Sequence, residues 1–345
     1  MKRIRSRTPG NIAFILMLLI SSLWTFWGVS EMFHEGWYRP FEWIFFLIPS
    51  LISVSLTVVS LLFPKIGGSL IVLSGMIFSV FIFSRMTQRG TPTVSDFLSW
   101  IPVTLLFILI GVLFVIEGFR IREPLEREVR WYKRYSKVII AILIPLVIGI
   151  TVGVVSGYRY FNRYDDGYRG ERIVEGYEIT LIWAGEGPGW HKSSTGNLSW
   201  NEVALYGKEP IGFERKRETY ASYEDFKRYN MFRYLNYDGT KLTDKVYDFW
   251  RLPTIDELTR SMYKDNECVG CPWNGKEGIQ NYKKPPDKET PLWAPDEPVI
   301  YYMSSTEADE REYYSISYRG MVIKRDKSEA LGSLGFRAVR TGKKP

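Results

Sequence analysis

Cysteine and histidine are almost missing from this chain of 345 residues, with two of each. Cys268 and Cys271 share one Glu-Cys-Val-Gly-Cys-Pro-Trp run, so a disulfide framework is excluded, and no second cysteine pair or nearby histidine completes a zinc site. The spacing suits a local disulfide or a pair of structural thiols. A redox dithiol would need a strand-to-helix context that this run lacks. A Ser-His-Asp constellation would have to recruit His191 with Ser304 or Ser305, and no nucleophile elbow surrounds either serine. His191, in Gly-Pro-Gly-Trp-His-Lys-Ser-Ser, reads as an exposed loop residue. No catalytic residue is assigned. Charge is missing as well, but only locally. Of the +7 net charge, residues 1 to 157 hold all of it, with 15 Lys+Arg against 8 Asp+Glu, while residues 158 to 345 carry 30 of each. The basic balance therefore belongs to the apolar part of the chain, where positive charge sets orientation, and nucleic acid is not an expected partner.

Five apolar runs fill that first part: Ile12 to Val29, Phe41 to Phe63, Ile66 to Ser84, Phe97 to Phe119 and Val138 to Val155. Each is close to the ~20 residues a bilayer core requires, so the lipid bilayer is the expected environment and all five read as spanning helices. The first follows Lys2, Arg3, Arg5 and Arg7, yet it exceeds the apolar core of a signal peptide and lacks a small-residue cleavage site, so it is expected to remain. Glu31, Glu42 and Glu117 lie at or near run ends and no ionisable residue sits mid-run, which argues against a proton relay. Gly149, Gly153 and Gly157 recur at four-residue spacing, as do Gly75 and Ser79, a pattern that lets helices approach closely. Pro49, Pro102 and Pro145 are expected to distort their spans. The basic N-terminus and the basic stretch from Arg120 to Lys137 belong in the cytoplasm, with a short surface helix over Ile121 to Tyr135. Five spans then place the chain after Gly157 outside the cell.

The remainder reads as a linker over 158–174 and an α+β domain over 175–345. Gly176 to Trp183 alternates as a strand, Leu198 to Tyr206 as a short helix, and Ser222 to Leu235 as a second helix opened by Ser222 with Asp225. In Asp-Phe-Trp-Arg-Leu-Pro-Thr-Ile-Asp-Glu-Leu (248–258), Thr254 and Glu257 have the spacing of a reciprocal helix cap. Asp265 to Pro298 is a Pro-, Gly- and Lys-rich loop region of the kind that carries binding. Strands return at Val299 to Met303, Tyr313 to Tyr318, Met321 to Lys324 and Gly335 to Arg340. Nineteen tyrosines follow position 157. Tyrosine and tryptophan give large contact area for little entropy, so Trp190, Trp273 and Trp293, placed in or beside loops, are the expected ligand-binding residues.

Four stretches, in order, resemble a known superfamily. Ser199-Trp200-Asn201-Glu202-Val203-Ala204, Trp250-Arg251-Leu252-Pro253-Thr254 with Glu257-Leu258, Tyr302-Met303-Ser304-Ser305-Thr306-Glu307, and Gly335-Phe336-Arg337-Ala338-Val339-Arg340 resemble the C-type-lectin-like domains of the formylglycine-generating-enzyme superfamily. Within it, the similarity is to the C-terminal domain of collagen-like adhesins, a domain of unknown function. The resemblance covers about residues 175 to 341. It departs at Met303, where tryptophan is common, at Ala338, where cysteine is frequent, and in the long interval from Tyr206 to Asp248. It implies that Trp200 and Trp250 fill the core, that Arg251 and Arg337 sit among buried carbonyls or carboxylates, and that Glu257 or Glu307 is a natural partner for those guanidinium groups. Members that oxidise a substrate cysteine through copper use two cysteines near the C-terminus. Cys268 and Cys271 precede the last strands, so that activity is not expected. Calcium-dependent sugar binding would require Asn or Asp after a Glu-Pro or Gln-Pro pair, whereas Val299 follows Glu297-Pro298; Asn236-Tyr237-Asp238-Gly239 retains only a fragment of a calcium loop. No cofactor is therefore expected beyond that calcium possibility. The expectation is a multi-pass cell-membrane protein, N-terminus cytoplasmic, displaying an extracytoplasmic C-type-lectin-like domain that binds a glycan, a peptide or an envelope protein. A modifying enzyme of the same superfamily, or a transport or signalling protein gated by the outer domain, are the alternatives.

Overall fold

In the computed structural model, residues 8–38, 40–89, 94–120, 135–192, 197–208 and 220–341 are described. The chain divides into two compact units, Met1–Tyr158 and Arg159–Pro345. The first contains five helices long and apolar enough to cross a membrane. They are α1 (Thr8–Glu31), α2 (Glu42–Leu62), α3 (Pro64–Arg89), α4 (Val94–Arg120) and α5 (Ser136–Phe161), with one π-helical turn, Met32–Gly36, continuing α1. Four of them contain their expected runs, and α2 covers the run from Phe41 to Phe63 except for its two end residues. Pro49, Pro102 and Pro145 lie inside helices that continue past them. The expected surface helix over Ile121 to Tyr135 lies, apart from Tyr135, outside the described residues.

Burial in this unit is inverted relative to a water-soluble bundle. Leu19, Leu23 and Val80 face outward at 62%, 66% and 70% exposure, while Ser21, Thr25, Ser50, Ser53, Thr57 and Ser60 are buried. The arrangement follows from the solvent: lipid tails welcome the aliphatic side chains, and hydroxyls and backbone must be satisfied inside. Thr25, Thr57 and Ser60 donate to carbonyls one turn back, at 2.7–2.8 Å, and the Thr25 and Ser50 hydroxyls meet across the α1–α2 interface at 2.5 Å. Helices approach closely at Gly68 of α3 and Gly111 of α4, where a Cβ on either glycine would stand 2.6 Å from the other's carbonyl oxygen. The expected glycine pattern on α5 is looser: a Cβ at Gly149 would meet Thr25 at 3.1 Å and one at Gly153 would meet Val29 at 3.6 Å. Glu117, buried near the end of α4, accepts the Gly10 amide of the first turn of α1 at 3.4 Å. A carboxylate there complements the positive end of the helix dipole.

The second unit is a mixed sheet structure with short capped helices. β1 (Arg172–Gly176) and β2 (Ile179–Trp183) form a hairpin turned at Glu178, where φ is 59°, so the single strand expected over 176–183 is two strands. β3 (Trp190–His191), α6 (Trp200–Ala204), α7 (Tyr223–Tyr229), a 3-10 turn (Met231–Tyr234) and α8 (Ile255–Arg260) follow. The expected helix over 222–235 is interrupted at Asn230, whose side chain donates to the Phe226 carbonyl at 2.7 Å. Next come β4 (Tyr263–Lys264), β5 (Glu267–Cys268), β6 (Gly278–Ile279), β7 (Tyr301–Glu307), β8 (Glu312–Ser317), β9 (Met321–Asp326), β10 (Leu334–Arg337) and β11 (Val339–Thr341). The large sheet runs β3-β10-β7-β8-β9-β6 with β10 and β7 parallel, and a smaller one runs β1-β2-β11. At Ala338 the chain passes from the large sheet to the small, which splits the expected 335–340 strand and buries Arg337 at the junction. The core holds Trp200, Phe226, Phe232, Trp250, Met303, Tyr313 and Phe336.

Of the segment expected as a linker over 158–174, residues 158–161 complete α5 and the stretch after them is laid onto this body. Arg163 pairs with Asp287 at 3.0 Å, the Thr290 amide donates to the Tyr164 carbonyl at 3.2 Å, and β1 begins at Arg172.

Candidate recognition surface

The corner at 250–258 is built as its sequence suggests. The Thr254 hydroxyl accepts the Glu257 amide at 3.2 Å, and the Glu257 carboxylate accepts the Thr254 amide at 2.8 Å. The same carboxylate takes both terminal nitrogens of Arg251, at 2.7 and 2.5 Å. One acid thus caps α8 and fixes the strand-like chain that precedes it. Burial pushes the Glu257 carboxyl up, but the Arg251 hydrogen bonds and charge, with the Thr254 amide, outweigh it and hold the carboxyl below its ordinary value. Trp250 and Trp200 are core residues whose indole N–H groups donate to backbone carbonyls, Trp250 to Asn236 at 2.9 Å and Trp200 to Ser304 at 3.0 Å.

Arg337 has no exposed surface. It donates to the carbonyls of Ala184, Pro291 and Leu292 at 2.9, 2.5 and 3.0 Å, and its guanidinium lies 3.6 Å from the centre of the Trp190 ring. Burial pulls this guanidinium below its ordinary value. It is therefore a tie between distant stretches of chain. Of the two acids offered as arginine partners, Glu257 holds Arg251, while among the described residues Glu307 pairs with Lys327 at 2.5 Å.

The tryptophans expected at a ligand surface require correction. Trp190 and Trp293 are 2% and 0% exposed. Trp190 donates to the Tyr302 hydroxyl at 2.7 Å, and Trp293 stacks on the Tyr302 ring at 3.8 Å with planes 5° apart. Tyr302 in β7 gathers both indoles into the core, so neither is available to a ligand. Trp273 is half-buried, its amide bound to Asp256 at 2.8 Å and its ring edge-on to Tyr314 at 5.0 Å. The second half of the loop region over 265–298 is internal, with Asp287, Lys288, Glu289, Thr290, Leu292 and Trp293 all buried, whereas residues 265–285 are mostly exposed or half-buried. Its charges are held by partners, Glu289 by Lys264 at 2.6 Å and the Lys288 ammonium by the Glu297 carbonyl.

Of the two alternatives for the cysteines, the structure shows free thiols and no disulfide. They wrap the C-terminal end of α8, with the Cys268 thiol donating to the Arg260 carbonyl at 3.4 Å and the Cys271 amide to that of Thr259 at 3.2 Å. Burial raises the Cys271 thiol above its ordinary value, which keeps it protonated and unreactive at neutral pH. His191 is half-buried and stacks on Phe336 at 5.4 Å.

The exposed aromatic surface lies elsewhere. Tyr237, Tyr247 and Phe249 are 61%, 42% and 45% exposed, and both tyrosines meet Phe249, Tyr237 edge-on at 5.5 Å and Tyr247 stacked at 5.9 Å. The Arg340 guanidinium backs Tyr237 at 4.2 Å. The platform is held from below: the amides of Tyr247 and Asp248 both donate to the Arg233 carbonyl, at 2.8 and 3.2 Å, and Asp248 takes a left-handed φ of 58°. The calcium-loop fragment beside it is an Asx turn, in which the Asn236 and Asp238 side chains accept the Thr240 amide at 2.9 and 3.1 Å. Sequence reasoning missed this platform although a signal existed. The signal is the aromatic pair flanking Asp248; alternation does not supply it, because the left-handed φ at Asp248 breaks the extended pattern and residues 246–249 are all exposed.

Two further features were not anticipated. A cleft of about 680 Å³ lies between residues 220–223, at the start of α7, and the β7–β8 connection, with Lys327 at its floor. In the first unit, ligand atoms of Glu31, His34 and Glu35 at the end of α1 lie within 4.8 Å of one another; the sequence reading assigned no metal residues. No family model matches the chain, and no curated protein or solved structure matches it either.

Proposed function

We propose that this is a multi-pass membrane protein whose C-terminal unit is an extracytoplasmic recognition module of C-type-lectin-like fold, binding a glycan, peptide or envelope protein. The observation that carries this reading is the platform of Tyr237, Tyr247 and Phe249, two tyrosine rings packed on the Phe249 ring and left in solvent by a domain that buries Trp183, Trp190, Trp200, Trp250 and Trp293. Rigid aromatic faces of this kind give contact area at small entropic cost, against sugar rings or against a protein surface. The order of the four motifs and the capped corner at Thr254 support the lectin-like reading. The basic residues before α1 and between α4 and α5 support an N-terminus in the cytoplasm, which with five spans sets the module outside.

The test is binding of the full-length protein in nanodiscs to arrays of glycans and of cell-envelope proteins. Phe249→Ala and Tyr247→Ala should each weaken the interaction about tenfold or more, as loss of a recognition anchor does. Binding that survives both substitutions, or transport of a solute in vesicles without any binding, overturns the reading.

A further inference from the structure

The end of α1 gathers metal-ligating side chains in which the recognition platform has no part. Glu31, His34 and Glu35 stand at i, i+3 and i+4, a spacing that puts three side chains on one face of a helical turn. Among the described residues they are the one group of three His, Cys, Asp or Glu whose ligand atoms all lie within 4.8 Å of one another. Zinc bonds of about 2.0–2.1 Å bring tetrahedral ligand atoms to about 3.4 Å of one another, a closure within reach of side chains turning about their own bonds.

The backbone beneath them is held by packing. His34 and Glu35 belong to the π-helical turn Met32–Gly36, in which Met32 and Gly36 are buried. A Cβ at Gly36 would stand 2.6 Å from the Phe46 ring of α2, Phe33 stacks on Trp37 at 4.9 Å, and Trp37 packs on Trp43 at 6.1 Å. Single π turns are rare and recur at functional sites. Charge supplies an independent argument. The helix that runs from Thr8 to Gly36 presents its negative dipole end here, which opposes carboxylates and favours a cation. Within the turn the basic side chain is His34 itself, and one imidazole carries at most a single charge against two carboxylates. A divalent ion reverses that cost. The donor set also selects the ion: one imidazole and two carboxylates suit zinc and its first-row neighbours, whereas calcium and magnesium prefer all-oxygen shells.

We propose that Glu31, His34 and Glu35 bind a divalent transition-metal ion of the zinc type at the end of α1, each giving one ligand atom, with water completing the shell. Three protein ligands plus water leave the ion open to an incoming ligand, unlike a closed four-ligand structural site.

The test is zinc titration of the tag-free full-length protein in nanodiscs after metal stripping, with empty nanodiscs as the blank and bound metal counted by mass spectrometry. One zinc per chain is expected, undiminished by an excess of magnesium or calcium. Glu31→Gln and Glu35→Gln are isosteric, so the fold should stand while zinc affinity falls about tenfold or more in each, and His34→Gln should do the same. Cobalt in place of zinc should give visible absorption bands that His34→Gln alters, a signature that a merely structural role would not move. Zinc binding that survives all three substitutions, or displacement of zinc by calcium or magnesium, overturns the proposal. So does zinc uptake no greater than the blank, which would leave the three side chains as an ion-paired cluster only. Cys268→Ser with Cys271→Ser should bind zinc as the wild type does; loss in that variant would assign the ion to the thiols and end the proposal. Phe249→Ala shares no residue with the site and should keep its zinc, so failure of the recognition platform and failure of the metal site are read separately.

Discussion

Replacing Glu257 with alanine removes two jobs from one carboxylate. It deletes half of the reciprocal cap on α8, the bond to the Thr254 amide at 2.8 Å, and both bonds to Arg251 at 2.7 and 2.5 Å. The cap is worth about 0.5–2 kcal/mol. The Arg251 side chain is 41% exposed and that of Glu257 18%, so the pair is screened on one side and contributes about 1 kcal/mol, well below a fully buried pair. Arg251 can be hydrated once its partner is gone, so no orphaned charge adds to the loss. The sum is about 2 kcal/mol, which in a domain of this size lowers Tm by about 4–8 °C. Glu257→Gln keeps an acceptor for the Thr254 amide and should lose about half as much. A double-mutant cycle with Arg251→Met, followed by near-ultraviolet circular dichroism on heating, should return a coupling near 1 kcal/mol. The pH dependence has a definite sign. A carboxyl held below its ordinary value of 4.5 stabilises the fold above that pH and loses the contribution as pH falls through its lower folded value. The gap between wild type and Glu257→Gln is therefore full at neutral pH and closes in acid, at a pH below the ordinary 4.5. A Tm shift within 1 °C for Glu257→Ala, a coupling of zero, or a gap that widens in acid refutes the reasoning.

Trp293→Ala should cost about 3–5 kcal/mol in guanidinium denaturation because it empties the space against Tyr302, whereas Phe249→Ala should stay within about 1 kcal/mol. Equal losses would mean that the assignment of one ring to the core and the other to the surface is wrong. In the membrane unit, Gly68→Val has no room beside the Gly111 carbonyl and should lower resistance to unfolding in mixed micelles, while Gly153→Ala, which meets Val29 only at ordinary contact distance, should not. A phosphatase reporter after Pro345 should be active and one placed among residues 121–134 inactive; the opposite pattern reverses the proposed orientation.

Much of this protein is written locally. Span length and lipid preference are one-dimensional properties, so the five helices follow from runs of apolar residues, and helix caps follow from spacings of three, as at Ser199, Ser222 and Thr254. The order of the motifs around Trp200, Trp250 and Arg337 likewise marks which residues lie inside. The candidate site was less legible. Nothing near Trp190 in sequence says that its indole will meet the hydroxyl of Tyr302, 112 residues on, and the same is true of Trp293 and its stacking partner. An indole beside a loop looks available until the sheet brings a tyrosine beneath it.

What the sequence determined by itself is therefore the two-part plan, the apolar spans, the capped helices and the Arg251–Glu257 tie, because each depends on residues close in the chain. What only the tertiary structure decided is which aromatic rings and which charges are left facing solvent. Tyr247 and Phe249 are exposed, Lys327 and Arg337 are sealed, and Glu117 meets a helix end 107 residues away. Those outcomes are set by contacts between distant segments, where area buried and hydrogen bonds completed are properties of the assembled fold and of no single stretch.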